Sequence, residues 1–238
     1  MRKNYKNVKC STCSLRELCI PLTINQVDLH KLDTLVNLRK IVKKGEYLFQ
    51  QNDEFKSLYA VQNGFFKVSV VNKIGHEKVL GFNMAGELLG LDGFSNNTHQ
   101  SNAVALDDSI VCVIKSSDIT EIANNFHPLQ HYLQTVLSNE IVRENNLLMA
   151  ISNMDSEKKL LVFLLNLSHR YNARQLSNGE FYLKMSREDI GLYIDLNIST
   201  ISRAFKKLEG RGFIEVSNKH IKIKQYDQID TYLTNCNH

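Results

Sequence analysis

The sequence predicts an α+β chain in three parts: a compact antiparallel barrel or roll, one long helix, and a winged helix-turn-helix at the carboxyl end. Three observations carry this prediction. Glycines punctuate short apolar runs in the first half, an apolar stripe of helical period follows, and two capped helices close on a basic hairpin.

Seven of the eleven glycines (Gly45, Gly64, Gly75, Gly81, Gly86, Gly90 and Gly93) lie between residues 45 and 93. They separate runs such as Tyr47 to Phe49, Leu58 to Val61 and Phe65 to Val71, the pattern of short antiparallel strands in a roll. The strand pattern extends to Val104–Ala105 and Ile110 to Ile114. Lys67 to Val71 and Glu77 to Phe82 flank Asn72-Lys-Ile-Gly-His76 and read as a hairpin, with Gly75 free to take positive φ.

After Pro128 the period becomes helical. Leu133, Leu137, Ile141, Glu144, Leu148 and Ile151 are spaced 4, 4, 3, 4 and 3, a stripe along one face of a helix of about six turns. So narrow a stripe suits a two-helix seam, making these six residues candidates for a dimer interface. Glu144 would oppose its own symmetry mate there, so the seam is expected to be weak. Ser152 to Asp155 reads as a helix start before Leu160 to Leu167, with a hinge near Asn153. The expected division is a cysteine-bearing segment at 1–22, a roll at 23–127, a dimerisation helix at 128–152 and a small domain at 153–238.

In that last domain Ser186 can cap a helix carrying Ile190 and Ile194, and Asn197 a second one with Ile201, Phe205 and Leu208 inward. Two capped helices across a tight turn form a helix-turn-helix, whose second helix offers its first turns to the major groove. Its outward residues are Ser199, Thr200, Ser202, Arg203 and Lys206. Arg203 can pair with guanine O6 and N7, and the serines can serve bases or phosphates. Phe213 to Val216 with His220 to Lys224 forms a wing whose Lys219, Lys222 and Lys224 could reach phosphate.

Composition bounds the rest. The 238 residues are 43% hydrophobic and 23% charged, a globular balance. The longest apolar run, Leu160 to Leu165, is too short for a membrane span or a signal-peptide core, so a cytoplasmic protein without a membrane partner is expected. Net charge is +4, but residues 197–224 alone hold seven cations against two acids, which suits a polyanion.

Five cysteines, an odd number, do not make a secreted disulfide framework. Cys10, Cys13 and Cys19 follow Cys-x2-Cys-x5-Cys, and Cys112 lies in the expected strand Ile110 to Ile114. Four thiolates suit zinc or an iron-sulfur cluster, and a three-plus-one spacing is closer to cluster ligation than to paired zinc ligands. Two other readings stay open: a buried unliganded Cys112, and a thiol-redox enzyme using Cys10 and Cys13, which lacks the βαβ context such motifs need. Cys236 reads as incidental. No histidine falls in a metal or nucleophile motif, so no enzyme is expected.

Together these residues resemble the CRP/FNR family of bacterial transcription regulators. The likeness runs from about Cys10 to Ile223 through Leu18-Cys-Ile-Pro21, Lys56-Ser-Leu-Tyr-Ala60, Gly81-Phe82, Ala85-Gly-Glu-Leu88, Asp189-Ile-Gly191 and Thr200-Ile-Ser-Arg203. The cysteine pattern is similar to that of its oxygen-sensing, FNR-type members. The resemblance implies a cyclic-nucleotide-binding-like β-roll, a dimerisation helix and a winged helix-turn-helix. It also implies a 4Fe-4S cluster on Cys10, Cys13, Cys19 and Cys112 that favours a DNA-binding homodimer without oxygen, activating or repressing at palindromic promoters. Oxygen would convert the cluster to a 2Fe-2S form and part the dimer. Nucleotide-binding members hold the cyclic phosphate with an Arg-Ser pair after the Gly-Glu segment; here no arginine lies between Arg39 and Arg143, so no cyclic nucleotide is expected. A CRP-like regulator with another small ligand or a structural zinc is the alternative. Asn72, Lys73, Gly75 and His76 resemble the family's RNA polymerase contact, with His76 where aspartate is common. Ser199 stands where FNR-like recognition helices carry glutamate, and Asp195 replaces the turn glycine.

Overall fold

The computed structural model describes residues 9–20, 24–36, 38–119, 127–176 and 179–234, with the side chains of 127–129, 132 and 151 left out. Cys236 and the Ile151 side chain therefore lie outside the described residues. The chain forms two compact units, Met1–Ile141 and Val142–His238.

The first unit begins with a 3-10 turn, Cys10–Thr12, and a single-turn helix α1 (Arg16–Cys19). Helix α2 (Gln26–Leu35) follows, started by Asn25, whose side chain accepts from Asp28 N at 2.8 Å. Eight strands come next: β1 (Leu38–Val42), β2 (Tyr47–Phe49), β3 (Ser57–Asn63), β4 (Phe65–Val71), β5 (Glu77–Met84), β6 (Leu88–Leu89), β7 (Asn102–Ala105) and β8 (Ser109–Lys115). They pair antiparallel in two sheets, ordered β1-β8-β3-β6 and β2-β7-β4-β5, which is the expected roll.

Alternation along each strand sets what the sheets enclose. Val61 and Val111 are fully buried and join Phe49, Phe66, Leu89 and Ala103 inside the roll. Their neighbours Ala60 and Cys112 point out of the opposite face, into a second cluster with Ile20, Ile24, Leu29, Leu32 and Val36. Cys112 is thus committed by strand period to the layer where α2 and the amino-terminal segment pack. The register lays Arg39, Cys112, Ala60 and Leu88 in one row across that face.

Helix α3 (His127–Asn153) crosses the boundary between the two units. The second unit continues with α4 (Ser156–Ala173), β9 (Glu180–Tyr182), α5 (Arg187–Ile194), α6 (Ile198–Gly210), β10 (Ile214–Ser217), β11 (His220–Ile223) and α7 (Tyr226–Thr234). The start of α4 corrects the sequence reading. Asp155 itself is the cap, its Oδ1 accepting from Glu157 N and Lys158 N at 2.9 and 3.0 Å, while Ser152 belongs to the last turn of α3. A carboxylate at this place both accepts the free N–H groups and meets the positive end of the helix dipole. The wing is also larger than read. β9 adds a third strand, in the order β10-β11-β9, and its three residues are too few to show alternation.

Candidate metal centre and nucleic-acid interface

Cys10, Cys13, Cys19 and Cys112 all line one cavity, together with Arg16, Ile20, Leu32, Val36 and Leu88. Its volume is about 90 Å³, several times the ~10–15 Å³ that one water needs. The three amino-terminal thiols are half-buried and Cys112 is 8% exposed. Burial pushes the Cys10 thiol up to about 12, with the charges of Cys112, Asp33, Cys13 and Cys19 adding to the rise. Burial also raises Cys112, against the opposing pull of the Arg39 guanidinium beside it.

A Cys10 thiol held in the neutral form is a poor nucleophile, which argues against a thiol-redox centre built on it. Such thiols suit a bound cation, whose charge replaces the missing solvation. Among the described residues, no three His, Cys, Asp or Glu side chains converge closely enough to hold a single metal ion.

The turn that carries the first two cysteines is tied down by α2. Ser11 N donates to Asp33 Oδ1 at 3.0 Å and Ser11 Oγ donates to Asp33 Oδ2 at 2.6 Å. Burial works against ionisation of Asp33, but the Ser11 and Cys10 donors outweigh it and lower its pKa. A second contact fixes α1. Gly86 has φ +88°, and a Cβ there would meet Leu18 Cβ at 2.7 Å, so only glycine lets this segment dock on the roll. The sequence reading quoted both residues and missed their meeting.

A second carboxylate closes the segment after Gly86-Glu87. Asp92 accepts from Gln100 N at 2.8 Å, Ser101 N at 2.9 Å and Ser101 Oγ at 2.7 Å, with His99 Nδ1 at 3.3 Å. His99 is 1% exposed and stacks on Phe49 at 3.7 Å. These donors face an internal anion.

In the second unit both helices of the helix-turn-helix pair are capped. Ser186 and Asp189 form a reciprocal capping box on α5, and Asp195 ends it in the left-handed region at φ 59°. Gly191 allows the turn to close, since a Cβ there would lie 2.3 Å from Leu196 O. Asn197 caps α6 by accepting from Thr200 N at 2.8 Å. Ile201, Phe205 and Leu208 are buried, and α6 packs on α4. Ser199, Arg203 and Lys206 are exposed, and Thr200 and Ser202 are half-buried.

These polar groups already have partners. Ser199 Oγ donates to Asn197 Oδ1 at 2.7 Å, Arg203 Nε donates to Ser199 O at 3.4 Å, and Arg187 Nη1 donates to Ser202 Oγ at 3.2 Å. Ile198, 56% exposed beside Ser199, was missed because apolar residues were read as core. The wing lysines divide. Lys219 is exposed in the turn, whereas Lys222 pairs with Glu180 and Lys224 with Glu215.

The Glu157 carboxylate joins this unit together. It accepts from Lys207 Nζ at 2.9 Å, Arg211 Nε at 2.8 Å and Tyr232 OH at 3.3 Å. Burial raises its pKa, but the Lys207 and Arg211 donors overcome that and hold it below the usual carboxylate range.

On α3, Leu137, Ile141 and Leu148 are 42%, 62% and 60% exposed, and Val142 and Met149 widen the apolar face beyond the stripe that was read. Glu144 is half-buried, 3.9 Å from Arg143 Nη2. Leu133 turns into its own roll, against Phe55, Leu58 and Ile119. In the β4–β5 hairpin, Asn72 Oδ1 accepts from Ile74 N and His76 N at 3.0 Å each, leaving Lys73, Ile74 and His76 exposed around Gly75 at φ +84°. Among the described residues, no helix is long and apolar enough to cross a membrane.

Comparison with known proteins gives these sites a context. Residues 39–126 match the cyclic nucleotide-binding domain model and residues 158–232 the Crp-like helix-turn-helix model. The regulatory protein HlyX of Actinobacillus pleuropneumoniae is 36% identical over 93% of this chain and 92% of its own. The fumarate and nitrate reduction regulatory protein of Yersinia pestis is 36% identical over 93% and 89%. Electron transport regulator A of Shewanella oneidensis is 35% identical over 94% and 89%. Among solved structures, FixK2 from Bradyrhizobium japonicum shares the fold at TM-score 0.74, with 22% identity over 81% of this chain and 95% of that one. The chain belongs to the Crp/FNR family of DNA-binding transcription regulators, and not to a family of enzymes.

Proposed function

We propose that this regulator responds to oxygen through a 4Fe-4S cluster held by Cys10, Cys13, Cys19 and Cys112, and binds palindromic promoters as a homodimer when oxygen is absent. The observation that carries the reading is the meeting of all four cysteines, the last of them 93 residues from its nearest partner in sequence, at one apolar cavity. Three thiols close in sequence and a fourth from a distant strand resemble cluster ligation more than the short ligand pairs of structural zinc sites. When bound, the cluster supplies an oxygen-labile inorganic centre. The chain's own residues do the rest: Arg16 and Arg39 set positive charge near a thiolate-rich site, while Ile20, Leu32 and Val36 keep water from it.

Exposed apolar residues on α3 support pairing with a second copy, because Leu137, Ile141, Val142, Leu148 and Met149 otherwise face water. Glu144, on the same helix, opposes that pairing. A seam so balanced needs only a few kcal/mol from the cavity to shift between monomer and dimer. On DNA, Arg203 reads guanine, Ser199, Thr200 and Ser202 serve neighbouring bases or phosphates, and Lys206 and Lys219 hold the backbone. The hairpin at Asn72, Lys73, Gly75 and His76 contacts RNA polymerase in the cytoplasm. No cyclic nucleotide is needed, since Asp92 already takes up the Gln100 and Ser101 donors.

The test is purification without oxygen, followed by visible absorption and measurement of iron and sulfide. Four of each per chain, with loss of the dimer on exposure to air by sedimentation, is the expected result. One zinc per chain, or no metal, would overturn the cluster reading and leave a winged DNA reader with another trigger.

A further inference from the structure

We propose that Asp33 is the positioning residue of the cysteine-bearing turn, its carboxylate gripping Ser11 so that Cys10 and Cys13 are aimed at the cavity before any metal arrives. The proposal rests on the cluster reading above and adds to it the residue that organises the site.

The turn cannot hold itself. Cys10–Thr12 is a single 3-10 turn with no side-chain cap and no buried residue. Its residues have few internal contacts to offset the ~1–2 kcal/mol that fixing each backbone costs. Asp33 supplies the missing tie from 22 residues away, one carboxylate oxygen accepting from Ser11 N at 3.0 Å and the other from Ser11 Oγ at 2.6 Å, with the Cys10 backbone a further donor. Two parallel donors to a charged acceptor fix direction as well as distance.

Placement makes this tie relevant to the metal site. Ser11 lies between Cys10 and Cys13, so gripping its backbone and hydroxyl on one side leaves the two flanking thiols to the cavity, which both line. Asp33 rides on α2, whose Leu29 and Leu32 are buried in the same cluster as Cys112. One helix therefore holds the turn with the first two sulfurs and packs against the strand with the fourth. Without it, the Leu18–Gly86 contact of α1 and the chain itself are left to tie the turn to the roll, and the lost ordering must be repaid when metal binds. Partners that orient metal ligands in this way typically account for ~10–100-fold in affinity.

The experiment compares wild type with Asp33→Ala, Asp33→Asn and Ser11→Ala, and with Lys31→Ala as an exposed control on the same helix. Each full-length protein is reconstituted with iron and sulfide without oxygen. Iron and sulfide retained per folded chain against a chelator are measured beside the melting temperature. The expected result is about 10–100-fold weaker retention in Asp33→Ala, a smaller loss in Ser11→Ala, partial recovery in Asp33→Asn, and no change in Lys31→Ala. A merely structural role would lower the melting temperature and leave retention per folded chain unchanged, and that outcome overturns the proposal. Should Asp33→Ala not fold, Asp33→Asn and Ser11→Ala carry the same comparison.

A second measurement separates this idea from the cluster reading. In metal-free protein, alkylation of Cys10 and Cys13 by iodoacetamide, followed by mass spectrometry, is expected to be several-fold faster in Asp33→Ala than in wild type. If wild type takes up no iron and sulfide, the cluster reading fails and these rates alone decide: faster alkylation keeps Asp33 as the organiser of the turn, and equal rates remove it.

Discussion

The amino-terminal cysteines sit on two short turns, Cys10–Thr12 and Arg16–Cys19, that bury none of their own residues and have no side-chain caps. Ser199 to Lys206 stand on a helix of 13 residues, capped by Asn197, with four of its residues buried and Lys207 tied to Glu157. The first site is held by a few contacts from elsewhere, Asp33 on Ser11 and Leu18 on Gly86. The second is rigid by its own construction. A site whose ligand governs it must leave ordering for the ligand to do, whereas a site that reads base edges must have its geometry fixed beforehand.

That contrast can be broken most sharply at Cys112. Cys112→Ser is expected to reduce iron and sulfide to background, while the melting of the carboxyl-terminal unit stays as in wild type; calorimetry and metal analysis on one sample check both. Next in size, Glu157→Ala leaves the Lys207 and Arg211 cations without their partner. The expected cost is about 2 kcal/mol, less than for a fully buried pair because the Lys207 and Arg211 side chains are 64% and 49% exposed. Denaturant unfolding measures it, and metal uptake should not change.

The same carboxylate gives a pH dependence. The native pKa of Glu157 is depressed, so its contribution is complete above the unfolded value near 4.5 and fades as pH falls through the lower native one. The difference in stability between wild type and Glu157→Gln should thus narrow with acidification below about pH 4.5; an unchanging difference would count against the ion pairs. At the reading face, Arg203→Ala is expected to weaken specific binding by ~1–3 kcal/mol and to relax preference at one base pair. Titrations against specific and random duplexes at one salt concentration decide it. Smallest is Glu144→Ala, which should make dimerisation less dependent on metal and oxygen; an unchanged oxygen response of the dimer fraction, by sedimentation, would remove Glu144 from the switch.

Much of this was legible locally. Ser186 and Asn197 announce their helices because a cap bonds three residues ahead, within one reading window. The cysteine spacing and the Leu137, Ile141, Leu148 stripe are likewise short-range patterns. The misreadings share one cause. Ser152 and Asp155 both looked like caps, and only the end of α3 at Asn153 chose between them. The partners of Lys222 and Lys224 were not legible, because Glu180 pairs across β9–β11 and Glu215 across the wing. Asp33, Glu157 and Asp92 carried no signal, since a carboxylate's partner is a matter of distance in space.

By itself the sequence determined which stretches become strand or helix, which helix faces are apolar, and that Cys112 lies in a strand, because period and capping are properties of neighbouring residues. Only the tertiary structure decided that this thiol shares a cavity with the other three and which acids the wing lysines pair with. Those outcomes depend on pairings between separate segments, and no local pattern encodes the register that brings them together.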